Sequence, residues 1–138
     1  MDATTLVVVD TDVISFLFKN HSLAPAYQAI VAGRPLPVSL ISRAEIEYGM
    51  EAKNWGSSRR ELMHRFLGRF TPLLPDIETA RIWAEIKNSC ARKGRPITFA
   101  DAWIAAAAVQ LNVPLVTHNG RDYTAVDGLT ILSAPAVP

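Results

Sequence analysis

The stretch LVVVDTDVISFLF, Leu6 to Phe18, decides the fold. Four apolar residues, three of them valine, run without a polar interruption. That is the signature of a strand buried on both faces, as in a parallel sheet, rather than the alternation of a half-exposed one. The run stops at two carboxylates, Asp10 and Asp12, and the apolar residues then return at helical spacing. An acid abutting a doubly buried strand is costly unless something satisfies it. Two of them, one residue apart at the end of a strand, mark a candidate site.

Reading outward from this strand, helical and strand-like segments alternate to the end of the chain. LAPAYQAIVAG predicts a helix closed by Gly33, PVSLIS a short strand, and SRAEIEYGMEAK a helix. RRELMHRFLGRF follows as an amphipathic helix, and TPLLP as a strand between prolines. DIETARIWAEIKNSCARKG reads as a long helix with Asp76 as its cap and Gly94 past its end. TFADAWIAAAAVQLN is apolar on nearly all sides and predicts a buried helix; VPLVT and LTILSA predict the last strands. The expectation is a three-layer α/β/α fold, a central parallel sheet of four to five strands with helices on both faces, formed by residues 1–138 as one domain.

Composition narrows the class further. The chain has 138 residues, 49% hydrophobic and 20% charged, with a formal net charge of +1. That balance fits a globular domain with a core of its own and carries no bulk electrostatic signal for nucleic acid or membrane. A single cysteine, Cys90, excludes an internal disulfide; with Trp83 and Ile86 on one helical face, it reads as a core residue. The N-terminus lacks a signal peptide's basic region, and the longest apolar run, Ala102 to Val109, is far short of the ~20 residues of a bilayer span. The expected location is the cytoplasm.

Ligands of open α/β sheets bind beyond the carboxyl ends of the strands. Four acids fall there or at the start of a helix that can share that edge: Asp10, Glu45, Asp101 and Asp122. Two have a simpler reading, because SRAE (Ser42 to Glu45) and TFAD (Thr98 to Asp101) have the form of capping boxes. Taken together, however, carboxylates crowded at one edge repel: two unit charges ~4 Å apart at an effective dielectric of 20 cost about 4 kcal/mol. An all-oxygen donor set suits a hard divalent ion, Mg²⁺ or Mn²⁺. His21, His64 and His118 are scattered and show no zinc spacing, and no glycine-rich phosphate loop is present. A magnesium site of carboxylates points to phosphate-ester chemistry, hence a metal-dependent phosphodiesterase or nuclease.

At VVVDTDVISFL, ISRAEIEYGM, GRPITFADAWIAAAA and LVTHNGRDY the sequence resembles the PIN-domain ribonucleases, and closely the VapC-type toxins of toxin–antitoxin pairs. The resemblance spans nearly the whole chain. It implies an acidic pocket of Asp10, Glu45, Asp101 and Asp122, with Asp10 and Asp101 as the principal Mg²⁺ or Mn²⁺ ligands. Glu45 and Asp122 would act partly through water, with Thr11 and Asn119 in support. It also implies endonucleolytic cleavage of a structured RNA, a tRNA or rRNA loop, leaving a 5′-phosphate and stopping translation. A VapB-like antitoxin and a homodimer are the implied partners. Asp12 departs from the family's usual asparagine and adds negative charge at the rim.

Basic residues that could meet RNA flank these motifs: Arg43, Arg121 and the ARKGR segment, Ala91 to Arg95. Two rival readings remain. A receiver-type phosphoacceptor domain would also pair acids after its first strand, but PVSLIS ends without aspartate and LVTHNGRD lacks the required lysine. A binding-only domain would use the same acids merely as helix caps.

Overall fold

A computed structural model describes residues 5–135. Five strands and six α-helices are formed among them. They are β1 (Val8–Val9), α1 (Thr11–Lys19), α2 (Ala24–Val31), β2 (Pro37–Ser39), α3 (Leu40–Ala52), α4 (Ser57–Leu67), β3 (Thr71–Leu73), α5 (Ile77–Arg92), α6 (Phe99–Leu111), β4 (Leu115–Val116) and β5 (Ile131–Leu132), with one 3-10 turn at Gly120–Tyr123. Every strand pairing among them is parallel. The ladders form two groups, β1-β4-β5 and β2-β3, and β1 lies beside β2. Pro37 and Pro72 each remove a backbone donor from the second pair, which stays short.

The sheet separates two apolar layers. Val7 and Val9, with Val116, pack into the cluster supplied by α1 to α4, whereas Val8 and Leu115 turn into the cluster supplied by α5 and α6. Val7, Val8 and Val9 are all fully buried. The unbroken valine run is therefore a period-two strand with a core on each side. Each of these side chains contributes about 1.5–3 kcal/mol by leaving water. Cys90 is buried in the second cluster with Ile82, Ile86 and Ile104.

This topology also fixes where a ligand can sit. From β1 the chain moves to β2 and β3 on one side, while β4 and β5 occupy the other. Strand order therefore reverses between β1 and β4, and the crevice beyond their carboxyl ends lies between the residues that follow each strand. Asp10 follows β1 and Thr117 follows β4; the Asp10 N–H donates to Val116 O at 2.9 Å and continues the ladder into the crevice.

Candidate active site

Asp10 ends β1 and caps α1, and its carboxylate is almost fully enclosed, at 6% exposure. Oδ1 accepts from the Thr11 N–H at 2.7 Å. Oδ2 accepts from the Thr117 hydroxyl at 2.8 Å and from the Tyr123 hydroxyl at 3.0 Å. Burial, reinforced by the charge of Asp12, pushes this carboxyl up to about 7 despite those donors. The Tyr123 oxygen also lies 3.1 Å from Asp101 Oδ1. A phenol has one proton, so it cannot fully serve two ionised carboxylates. Among the described residues no basic side chain pairs with Asp10 or Asp101, so the deep part of the site holds no compensating positive charge. Burial, together with the charges of Asp10 and Asp101, drives the Tyr123 phenol well above its ordinary range.

Asp101 reaches this point from the first turn of α6. Thr98 caps that helix by accepting from the Asp101 N–H at 3.1 Å, which is half of the expected capping box. The other half does not form, because the Asp101 carboxylate meets Tyr123 instead. The expected box at Ser42 to Glu45 fails more completely. Ser39 is the cap of α3, so the helix begins at Leu40, and Ser42 is a buried residue inside it. The shift puts Glu45 in the second turn, where Oε1 accepts from the Thr11 hydroxyl at 2.7 Å; that hydroxyl is 2.9 Å from Ser42 Oγ. Hydrogen bonds thus run from Asp101 through Tyr123, Asp10 and Thr11 to Glu45.

Asp12 does not simply add charge at the rim. Its Oδ2 accepts from the His118 N–H at 3.1 Å and from Asn119 Nδ2 at 3.0 Å, and its Oδ1 from the Val13 N–H at 2.7 Å. Asn119 therefore holds Asp12 and ties the loop after β4 to the start of α1. His118 is an exposed residue of the loop after β4; its Nδ1 lies 2.7 Å from the Tyr27 hydroxyl and its ring stands edge-on to Phe16.

Asp122 lies on the 3-10 turn, exposed, and lines a polar cleft of about 330 Å³ together with Asp101, Arg95 and Arg121. Hydrogen bonds thus connect Asp101, Asp10 and Glu45, while Asp122 shares the cleft with Asp101. Among the described residues no three carboxylate, histidine or cysteine groups form a ready-made metal cage. The donor chemistry still fits a hard cation. Magnesium keeps most of its waters and needs only one or two carboxylates, and Asp10 and Asp101 offer two all-oxygen donors with one proton between them.

Tyr123 and Thr117 are the site residues that sequence reasoning misses. Tyr123 sits next to Asp122 in GRDY, and no periodicity announces that its hydroxyl points back to Asp10 after β1 and Asp101 in α6. Trp55 is packed on Phe18 with Arg59 over its face, whereas Tyr48 is open.

With this geometry in view, comparison with known proteins gives a consistent result. A family model described as PIN domain matches residues 7–129. Ribonuclease VapC1 of Haemophilus influenzae (strain R2866) is 28% identical over 127 residues, covering 90% of this chain and 94% of that protein. The tRNA(fMet)-specific endonuclease VapC of Shigella flexneri is 26% identical, covering 88% and 92%. The solved structure of VapBC-1 from nontypeable Haemophilus influenzae superposes with a TM-score of 0.76 at 26% identity, over 93% of this chain and 97% of that one.

Proposed function

This chain belongs to the PIN-domain family, and from that premise we propose that it is a VapC-type ribonuclease, the toxin of a VapBC-type pair, with the whole chain forming one catalytic domain. The observation that carries the reading is the Tyr123 hydroxyl shared by Asp10 and Asp101 where the strand order reverses. Structural capping alone gives no reason to bring two acids from opposite ends of the chain onto one phenol.

Asp10 and Asp101 would hold Mg²⁺ or Mn²⁺. Such an ion, when bound, polarises a phosphoryl oxygen and lowers the pKa of a coordinated water. The protein's own groups supply the rest. Thr117 and Thr11 fix the Asp10 carboxylate through hydroxyl and amide donors. Glu45, oriented by the Thr11 hydroxyl, and Asp122, open in the cleft, are set to hold the attacking water and accept its proton. The substrate is a structured RNA, a tRNA or rRNA loop; the likeness to a tRNA-specific endonuclease supports the tRNA choice. Cleavage there would stop translation in the cytoplasm. No helix among the described residues is long and apolar enough to cross a membrane.

Two protein partners complete the proposal. A VapB-like antitoxin would lie in the groove between α1 and α3, where Ile46, Met50 and Trp55 adjoin Thr11 and Glu45. A second copy of the chain would cover the hollow of about 400 Å³ edged by Leu40, Leu74 and Phe99, all exposed.

Inducible expression in a bacterium tests the activity. The wild-type chain should arrest growth and create new 5′-phosphate RNA ends within a tRNA or rRNA loop, and Asp101→Asn should do neither. Normal growth without new ends from the wild type overturns the toxin reading.

A further inference from the structure

Many basic side chains near an acid are paired with it: Arg43 with Glu47, Arg60 with Glu51, Arg81 with Glu78 and Lys93 with Asp127. The cleft beside Asp101 breaks this pattern. Arg95 and Arg121 line it together with Asp101 and Asp122, yet neither arginine makes an ion pair among the described residues. The one hydrogen bond that either guanidinium makes among those residues runs from Arg95 Nη2 to the Arg121 carbonyl at 3.4 Å.

The backbone presenting them is firmly built. Helix α5 closes with Gly94 in the left-handed region at φ 72° and the Arg95 N–H donating to Cys90 O at 3.0 Å. Lys87 Nζ donates to Ile97 O at 2.6 Å, which ties the next residues of the loop to α5. On the other wall, the Asp122 N–H donates to Asn119 O at 3.0 Å and the Thr124 hydroxyl to Arg121 O at 3.2 Å, closing the 3-10 turn around Arg121. Two guanidinium groups are thus held on anchored backbone at the mouth of the acidic site, with most of their donors unspent.

We propose that Arg95 and Arg121 form a phosphate-binding subsite that grips the RNA phosphodiester next to the one being cut, so that the chain is drawn across Asp101 and Asp122 in one direction. The proposal rests on the ribonuclease reading and adds a specific part to it. Arginine suits the task because its planar fork matches phosphate oxygens and never loses its charge. The two cleft carboxylates offset the two arginines by themselves; a divalent ion on the acids leaves the cleft net positive and ready for an anion. Arg95 and Arg121 are positioning residues that touch a phosphate which does not react.

The test compares Arg95→Gln/Arg121→Gln with the parent chain. Binding is read by anisotropy of a fluorescein-labelled tRNA stem-loop with Asp10 intact and Ca²⁺ in place of Mg²⁺, so that the acids carry a divalent ion while cutting is suppressed. Affinity should fall on the order of tenfold per arginine, and the slope of log K against log salt should flatten by about 0.7 for each phosphate no longer held. In Mg²⁺, KM should rise by the same factor while kcat stays within about twofold. The thermal shift induced by Mn²⁺ should match the wild type, which shows that fold and acids are intact. Unchanged affinity and salt slope in the double variant overturn the subsite. So does loss of adenosine 5′-monophosphate binding with RNA binding retained, which makes the cleft a site for free phosphate esters. RNA bound through both arginines but never cut by the parent chain in Mg²⁺ sinks the ribonuclease reading and leaves the subsite standing; cutting with a normal salt slope in the double variant does the reverse.

Discussion

The two halves of the acidic site are built on opposite principles. Asp10, with Thr117 and Tyr123 around it, is enclosed: tyrosine and aspartate are both nearly inaccessible, and the donors come from different segments. Glu45 and Asp122, by contrast, are exposed; one is steered by a single hydroxyl, and the other lines an open cleft. The enclosed half stores electrostatic cost, since burial and the nearby Asp12 act against ionised Asp10. The exposed half stores little, because water screens it. On the proposed function, a cation would be drawn to buried Asp10 and half-buried Asp101, leaving the outer acids to manage water and protons. The proposed function would use both: a deep anchor for charge, and a wet rim where a phosphodiester can enter.

Substitutions should separate the halves in order of size. Asp10→Asn or Asp101→Asn should lower RNA cleavage on the order of a thousandfold, measured as kcat/KM at saturating Mg²⁺, because each removes a proposed ligand outright. Glu45→Gln should cost about a hundredfold, and Asp122→Asn about tenfold; equal losses for all four acids would erase the distinction between anchor and rim. Tyr123→Phe should weaken Mn²⁺ binding by about tenfold, read as the concentration that half-saturates the thermal shift. It removes the strut between two carboxylates while preserving the ring.

The enclosed half also predicts a pH dependence of stability without metal. The Asp10 carboxyl titrates near 7 when folded and near 3.8 when unfolded. The folded state therefore binds the proton more tightly, and its stabilising contribution is fully present below about pH 4 and lost as pH rises through 7. The loss is on the order of 4 kcal/mol. In EDTA, wild-type stability measured against Asp10→Asn should decline across that window; added Mg²⁺ should restore it at pH 8. A flat difference between the two proteins would mean that burial exerts no such force.

Where sequence reasoning succeeds and fails follows the same division. The valine run of β1, the buried helix α6 with Asn112 at its end, and the Asp76 cap of α5 are each dictated within a few residues, and all are legible. The start of α3 is not, because two serines compete as caps; Ser39 takes the role at the end of β2, while packing encloses Ser42. Tyr123 escapes notice because its partner Asp10 is 113 residues away. Asp12 reads as surplus charge, since its ties to His118 and Asn119 exist only once β1 and β4 are adjacent. Local rules find the acids; only the parallel pairing of the first and fourth strands reveals what holds them.

Asp10 and Asp101, brought together from distant parts of the chain, are proposed to share one divalent ion. A Mn²⁺ titration followed by thermal unfolding of the wild type, Asp10→Asn and Asp101→Asn addresses this directly. A saturable stabilisation in the wild type, abolished by either substitution alone, is the predicted result. A wild-type-sized stabilisation that survives in either variant would contradict it.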